Sequence, residues 1–268
     1  MKTTDETYLK LQAKREFNVR KSNALIQKSR FELSLQEQKV ILSLIQMIKP
    51  NDEELKLYDF KIKDFCELCG IDKEAGKNYK NIRDTLKKLS DKSYWITLED
   101  GRTTLVRWIE RPFIDEKGGN IHIKLDILMK PFLLQIKKNF TQYSLYYVLA
   151  MKSQYSIRIY ELLKSYLNLR SYESDINELK KMLQCQHYGK ISDFKSRVLD
   201  QAMREINQFT DLNVSYELIK DGRMFSKIIF KIERKKEMFD TWENIDRELS
   251  SKHIDGQLSF LYNNEIDG

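Results

Sequence analysis

Residues 193–223, DFKSRVLDQAMREINQFTDLNVSYELIKDGR, decide the fold of this chain. An amphipathic helix is predicted over 193–207, and alternating apolar residues over 214–219 and 225–232 predict two strands that turn on Asp-Gly-Arg. A shorter helix is predicted upstream, over 176–183. Helix, helix and β-hairpin in this order are typical of a winged helix, which places its second helix in a DNA groove.

The same order of elements occurs earlier in the chain. Residues 64–68 predict a short helix, 78–90 predict a basic amphipathic helix, and the strands that follow turn on Asp100-Gly101-Arg102. The second turn, Asp221-Gly222-Arg223, lies 121 residues further on. We therefore expect an α+β fold of two tandem winged-helix domains related by a pseudo-repeat, in a protein that binds duplex DNA.

Composition agrees with two soluble domains. The chain has 268 residues, of which 41% are hydrophobic, and it contains three cysteines. This length allows two ordinary domains, and so few cysteines argue against a disulfide framework. No apolar run approaches a membrane span and no apolar signal region follows Met1, so a cytoplasmic protein without membrane contact is expected.

Charge is distributed unevenly along the chain. The formal net charge is +7, but residues 237–268 hold eight acidic and two basic residues, a net of −6 that leaves +13 on the other 236 residues. A basic body suits a polyanionic partner, and an acidic tail suits a segment that docks proteins or shields the basic face.

The pattern divides the chain into five parts. The first 22 residues are polar and lack an apolar period, whereas Ser34 and Glu37 form a capping box ahead of a core helix predicted to reach about Lys49. The predicted parts are a mobile N-terminal arm (1–22), a first winged-helix domain (23–126, the first module), a linker (127–139), a second winged-helix domain (140–236, the second module) and an acidic C-terminal tail (237–268).

The 193–207 helix carries the best candidates for reading bases. On a helical wheel, Arg197, Gln201 and Arg204 lie opposite the apolar arc. Arginine can donate two hydrogen bonds to guanine, and glutamine can pair with adenine. The competing interpretation is an ordinary solvated helix face.

Basic residues elsewhere in both modules are candidates for contacts with the DNA backbone, which give affinity without sequence information. The competing interpretation is a solubilising surface charge. The candidates are Lys190, Lys195, Ser196, Lys220, Arg223 and Lys227 in the second module, and Lys77, Lys80, Arg83 and Lys87 in the first.

Signatures of catalysis and of metal or cofactor binding are missing. Cys66 and Cys69 have the spacing of half a zinc site, but Cys185 and His187 fall in the other module, so burial as small apolar residues is the favoured interpretation. No phosphate-binding glycine loop or clustered carboxylates are found. We expect no catalytic residues, no metal and no cofactor.

The tail contains an apolar pentapeptide, Gln257-Leu258-Ser259-Phe260-Leu261. It resembles the glutamine-led peptides that dock on the bacterial sliding clamp, although those usually end in Leu-Phe. The alternative is an amphipathic tail helix that packs on the body.

Four segments carry a resemblance to a known family. They are KSNAL (21–25), LSLQEQK (33–39), YSIRIYELLK (155–164) and FKSRVL (194–199). Over roughly residues 20–236 the chain resembles the replication initiator (Rep) proteins of iteron-controlled bacterial plasmids.

The resemblance implies an initiator without catalytic activity in the cytoplasm of a plasmid-bearing bacterium. Monomers would bind direct repeats at the plasmid origin with both domains, and the second-domain helix would be the main sequence reader. Homodimers, formed through the first domain, would bind an inverted repeat at the protein's own promoter and repress it. Melting of an A·T-rich segment and recruitment of host helicase and initiator proteins would follow.

Two alternatives stay open at this point. One is a stand-alone winged-helix transcriptional repressor, which would bind a single palindrome in place of several repeats. The other is a DNA-processing enzyme, which metal-dependent nicking of supercoiled DNA would reveal.

Overall fold

The structure is a computed structural model, and it describes residues 17–49, 51–69, 78–97 and 101–250. Up to residue 126, the elements are β1 (Asn18–Ser22), α1 (Asn23–Lys28), α2 (Leu35–Gln46), β2 (Leu57–Lys61), α3 (Ile62–Cys69), α4 (Asn78–Asp91), β3 (Ser93–Thr97), β4 (Thr103–Arg107), β5 (Phe113–Asp115) and β6 (Asn120–Lys124). The elements after them are α5 (Lys130–Leu133), β7 (Phe140–Ser144), α6 (Leu145–Ala150), α7 (Gln154–Ser165), β8 (Ser171–Asp175), α8 (Ile176–Met182), α9 (Ile191–Phe194), α10 (Asp200–Phe209), β9 (Leu212–Asp221), β10 (Met224–Arg234) and α11 (Phe239–Ser250). Short 3-10 turns also occur, at Ile127–Met129 and Leu167–Leu169.

Both predicted hairpins are present. Strands β3 and β4 pair antiparallel, as do β9 and β10, and the glycines of the two turns, Gly101 and Gly222, have φ of +82° and +60°. A positive φ is the conformation for which glycine is favoured at a hairpin turn. The glycine of the repeated motif therefore has a positive φ in both hairpins, but the connections differ in length, since the strand pairing ends at Asp221↔Met224 in one hairpin and at Thr97↔Thr103 in the other.

The strand before each hairpin joins a different partner in the two modules. In the second module β8 pairs with β10, which gives the order β8-β10-β9. In the first module β2 pairs with β6, in a separate sheet of order β2-β6-β5, and β3-β4 stands as its own two-stranded sheet. The repeat is therefore one of element order and not of sheet pairing.

Helix α2 is the central helix of the first module. The Ser34 side chain accepts a hydrogen bond from the Glu37 N–H, and Glu37 accepts one from the Ser34 N–H, which confirms the capping box. Val40, Ile41 and Leu44 are buried, as their spacing predicts. The helix ends at Gln46, earlier than the predicted end near Lys49.

The prediction of a mobile arm through residue 22 is wrong for residues 18–22. They form β1, which pairs antiparallel with β7 between Asn18↔Ser144 and Ser22↔Phe140. Lys21 is buried, and its ammonium lies 2.5 Å from the Glu161 carboxylate. A buried lysine is tolerated when a carboxylate pairs with it, and that partner lies 140 residues away in the sequence. Residues 1–16 lie outside the described residues.

The two modules share one continuous hydrophobic core. The Arg158 guanidinium of α7 stacks 4.0 Å from the centre of the Phe31 ring and donates a hydrogen bond to the Ser29 carbonyl. At the surface, Arg30 and Glu178 form an ion pair at 3.1 Å. These contacts join α7 and α8 to the chain between α1 and α2, so the modules are packed against each other.

The first part of the acidic tail is a helix packed on the second module. Trp242, Ile245 and Leu249 of α11 are buried, and the Trp242 ring lies 5.4 Å from the Tyr147 ring. Glu248 pairs with Lys152 at 3.0 Å. The pentapeptide 257–261 lies outside the described residues.

The sequence predicts neither a membrane span nor a metal site. In the described ranges, no helix combines the length and the apolar character needed to cross a membrane. Over the same residues, no group of three or more His, Cys, Asp or Glu side chains is placed to hold a metal ion. Cys66 and Cys185 are both buried, and burial raises the pKa of the Cys185 thiol to about 12.

Candidate nucleic-acid interface

The second long helix of the second module is continuous but not uniform. Helix α9, a π-helical turn (Lys195–Leu199) and α10 follow one another without a break, and we call them together the 191–209 helix. Inside the turn, the Asp200 N–H donates to the carbonyl of Lys195, five residues earlier. Such a turn accommodates one extra residue and is frequent at functional sites.

The apolar face of the 191–209 helix is confirmed. The predicted arc of Phe194, Val198, Leu199, Ala202 and Ile206 is fully buried. Val198 and Leu199, which lie inside the π-helical turn, are both buried. Burial of this arc fixes the opposite, polar face toward solvent.

The three predicted base readers are not equivalent. Arg197 and Arg204 are exposed, whereas Gln201 is half-buried. The Gln201 amide nitrogen donates to the Glu205 carboxylate at 2.5 Å, and its amide oxygen accepts a hydrogen bond from Arg204. Gln201 therefore links Arg204 to the protein interior.

Glu205 anchors this chain of hydrogen bonds. It is only 3% exposed, and its carboxylate accepts the backbone N–H groups of Lys152 and Ser153 at 3.2 and 3.3 Å. Those groups belong to the loop that enters α7. The orientation of Gln201, and through it of Arg204, is thus set by the packing of α7 against the 191–209 helix.

The residues at the start of the helix are also partly engaged. Lys190 is exposed and directly precedes α9, and the Ser196 hydroxyl donates to the Asp193 carbonyl at 3.4 Å. Lys195 pairs with Asp200 at 2.8 Å. Burial acts to raise the pKa of Asp200, but hydrogen bonds from Lys195 and Tyr216 outweigh it, so that pKa lies below its ordinary value.

The wing is clamped to the helix at its base. The Asn207 side chain donates to the Val214 carbonyl at 2.9 Å and accepts from the Val214 N–H at 2.7 Å. The Tyr216 hydroxyl donates to Asp200 at 2.6 Å. These bonds hold β9 against the 191–209 helix, so helix and wing present one surface.

The predicted basic residues of this wing have different surroundings. The Lys220 ammonium lies 5.1 Å from the centre of the Phe225 ring, and Arg223 is exposed in the turn. Lys227 pairs with Glu173 of β8 at 2.9 Å, and that hydrogen bond raises the pKa of Lys227. Of Lys220, Arg223 and Lys227, Lys227 is therefore the residue whose ion pair with a carboxylate must break before it can bind a phosphate.

Helix α4 of the first module has the predicted two faces. Ile82, Leu86 and Leu89 are buried. Exposed side chains form the other face, namely Lys80, Arg83 and Lys87. Arg83 pairs with Glu116 of the turn between β5 and β6, and Lys87 pairs with Asp91. Lys77 lies outside the described residues.

Comparison with known proteins identifies both modules. The family model described as Initiator Replication protein, WH1 matches residues 18–164, more than half of the chain, and the model described as Initiator Rep protein, WH2 matches residues 175–232. The chain belongs to the initiator replication (Rep) protein family. Its two winged-helix domains, WH1 and WH2, confirm the fold class that the repeated pattern predicts, although the WH1 match extends beyond the predicted first module to residue 164, and the family resemblance drawn from the sequence is confirmed.

A solved structure supports the same fold. The crystal structure of Pi initiator protein in complex with iteron DNA matches with a TM-score of 0.64 and 21% identity. The match covers 83% of this chain and 99% of that one. The tail helix α11 lies beyond the end of the WH2 model at residue 232.

Sequence reasoning missed the groups that orient the WH2 surface. Glu205 lies four residues after Gln201, a spacing at which helical side chains meet, so this bond had a local signal. The hydrogen bonds of Asn207 and Tyr216 had no local signal in the sequence, because they form only when β9 folds back on the helix.

Proposed function

We propose that this Rep protein initiates plasmid replication by binding repeated origin sequences, the iterons, as a monomer that grips each repeat with both winged helices. The observation that carries the proposal is the packing of two helix-and-wing modules into one core, each with an exposed basic helix face. The matched Pi initiator protein, crystallised with iteron DNA, supports this function.

WH2 is the proposed sequence reader. Arg197 and Arg204 would contact base edges in the major groove, and Gln201 would read a base or orient Arg204 through their hydrogen bond. Lys190, Lys195 and Ser196 would contact phosphates at the start of the helix, and Lys220, Arg223 and Lys227 would do so from the wing. The carboxylates that Lys195 and Lys227 meet are exposed, and exposed ion pairs contribute little, so exchange for phosphate is easy.

WH1 is proposed to position the protein on the DNA. Lys80, Arg83 and Lys87, with Lys77 outside the described residues, offer positive charge, and apart from Asn81 the exposed face carries no side chain suited to bidentate adenine recognition among residues 80–90. Contacts of this kind fix register and orientation on the duplex. They also make binding depend steeply on salt, because each neutralised phosphate releases counterions.

We further infer the finer steps from the family to which the chain belongs. Binding to several repeats would promote origin opening and recruit host helicase and initiator proteins. Homodimers in equilibrium with the monomer would repress the protein's own gene at an inverted repeat, and residues 257–261 would dock on the sliding clamp. The protein would act in the bacterial cytoplasm without a catalytic step or a cofactor.

Footprinting on the replicon that encodes the gene tests the proposal. The expected result is protection of several evenly spaced direct repeats beside an A·T-rich stretch, at near-physiological salt. Protection of one inverted repeat at the gene's promoter alone would replace the initiator with a repressor. Metal-dependent nicking of the same supercoiled plasmid would show an enzyme.

A further inference from the structure

The tip of the WH2 wing (residues 220–225, the wing tip) carries an exposed apolar side chain beside basic ones. Met224 is 77% exposed, the adjacent Arg223 is exposed, and Lys220 lies on the opposite strand. A single exposed apolar residue needs no explanation by itself. Met224, however, lies at the end of a projecting hairpin, and this position suggests a role for its exposed side chain.

The wing tip projects beyond the rest of its sheet. Strand β8 pairs with β10 only from Lys227 to Lys231, so residues 224–226 extend past the third strand. Three residues of β-strand span about 10 Å. The minor groove of B-DNA is about 7.5 Å deep, so a hairpin lying along it can bring a tip side chain to its floor.

The wing tip is also held in place. Of the two central residues of the turn, Gly222 has a positive φ and Arg223 does not, as in a type II′ turn. The Lys220 ammonium also lies over the Phe225 ring. At the base of the wing, Asn207 and Val214 exchange two hydrogen bonds. These contacts order the turn and join the base of the wing to the 191–209 helix.

We propose that Met224 inserts into the minor groove as an apolar wedge that partly unstacks one base step and bends the DNA there. The inference rests on the proposed function, since it requires WH2 to bind duplex DNA. An unbranched thioether fills an irregular gap between bases without leaving a polar group unpaired. Arg223 and Lys220 supply the positive charge that meets the phosphates on either side.

The wedge adds a specificity that base contacts do not provide. Insertion of apolar side chains between base steps kinks DNA by about 20–90°. Pyrimidine–purine steps such as TA and CA are the most easily unstacked, so the wedge favours such a step at one fixed position in each repeat. Met224 therefore determines specificity through how easily the DNA base step at its position can be unstacked.

The experiment uses the full chain and duplexes that carry one protected repeat, with 2-aminopurine placed at successive positions. We expect a several-fold rise in fluorescence at one step on binding of the wild-type protein. Met224→Ala should lose this rise and the associated gel-shift bend, and Met224→Leu should keep both. Leu169→Ala is the matched control, since Leu169 is 71% exposed and adjoins the start of β8, at the opposite end of the sheet.

The outcomes separate the wedge from the proposed function. Undiminished fluorescence and bending in Met224→Ala bound to the repeat would overturn the wedge and leave the initiator standing. A wild-type protein with no preference for any repeat over random DNA would overturn the proposed function, and the wedge with it.

Discussion

Replacing Arg204 by alanine should cost more binding free energy on the cognate repeat than replacing Arg197. Both arginines are exposed on the 191–209 helix, but only Arg204 also donates a hydrogen bond to Gln201. Arg197→Ala would remove one proposed base contact. Arg204→Ala would remove one proposed base contact and also release Gln201 from one of the two bonds that orient it.

The magnitudes follow from these contacts. A bidentate arginine–guanine pair discriminates by about 1–3 kcal/mol, so Arg197→Ala should weaken cognate binding about 5- to 150-fold. Loss of the bond that orients Gln201 adds about 0.5–1.5 kcal/mol for Arg204→Ala. Because Arg204 and Gln201 share a hydrogen bond, the double variant Gln201→Ala/Arg204→Ala should lose less than the sum of the two single changes.

Fluorescence anisotropy with a cognate repeat and a random duplex of equal length measures both effects. Arg247→Ala changes an exposed arginine of α11 that is not among the proposed DNA contacts, so it removes the same charge and serves as the control. The arginine variants should lose affinity for the cognate duplex and little for the random one. An equal loss on both duplexes would refute base reading by Arg197 and Arg204, and strict additivity would refute the coupling through Gln201.

Three further predictions test other parts of the molecule. Lys80→Ala or Lys227→Ala should weaken binding to cognate and random DNA alike and reduce the slope of log K against log salt by about 1, which a salt titration measures; a loss confined to cognate DNA would contradict backbone contact. Lys21→Met should lower the free energy of unfolding by about 1.5–3 kcal/mol in urea, because the buried Glu161 carboxylate loses its nearest cation and retains the Tyr143 hydroxyl and the more distant Arg158; a change below about 0.5 kcal/mol would contradict a stabilising Lys21–Glu161 pair. Trp242→Ala should cost about 3–5 kcal/mol of stability by opening a cavity between α11 and the body; a change below about 1 kcal/mol would show that α11 is not docked in solution.

The elements that sequence predicted well are those whose signals are local. The two Asp-Gly-Arg turns, the capping box at Ser34 and the buried arc of the 191–209 helix each depend on residues within a few positions of one another. Periodicity and turn chemistry suffice for such features. The order of helix, helix and hairpin could therefore be read twice from the sequence.

The features that sequence missed depend on distant partners. Strand β1 needs β7, and its buried Lys21 needs Glu161, so a polar pentapeptide gave no sign of a core strand. The ion pairs of Arg83 with Glu116 and of Lys227 with Glu173 likewise join residues far apart in the sequence. A sequence pattern predicts that a basic side chain is exposed, but it does not predict which distant carboxylate pairs with that side chain.

The π-helical turn changes the relative positions of the proposed base readers from those on a regular helical wheel. A wheel at 100° per residue places Arg197, Gln201 and Arg204 on one face, but Arg197 lies inside the turn and the other two lie after it. The turn adds a residue between them. The distance between Arg197 and Arg204 along the helix therefore depends on this turn, and so would the spacing of the bases that they are proposed to contact.

The shared core holds the two modules in contact with each other. Arg30 pairs with Glu178 of α8, and Glu205 of the 191–209 helix accepts the N–H groups of Lys152 and Ser153, so these contacts join the residues matched by WH1 to those matched by WH2. When one module binds, the other is held at high effective concentration over the same duplex, without the loss that a long flexible linker would cause. Under the proposed function, the charge of WH1 would raise the affinity of the whole protein, while discrimination between sequences would stay with the 191–209 helix and its wing. Such a protein would require the correct spacing between a charged surface and a read sequence, which is a stricter condition than either module would impose alone.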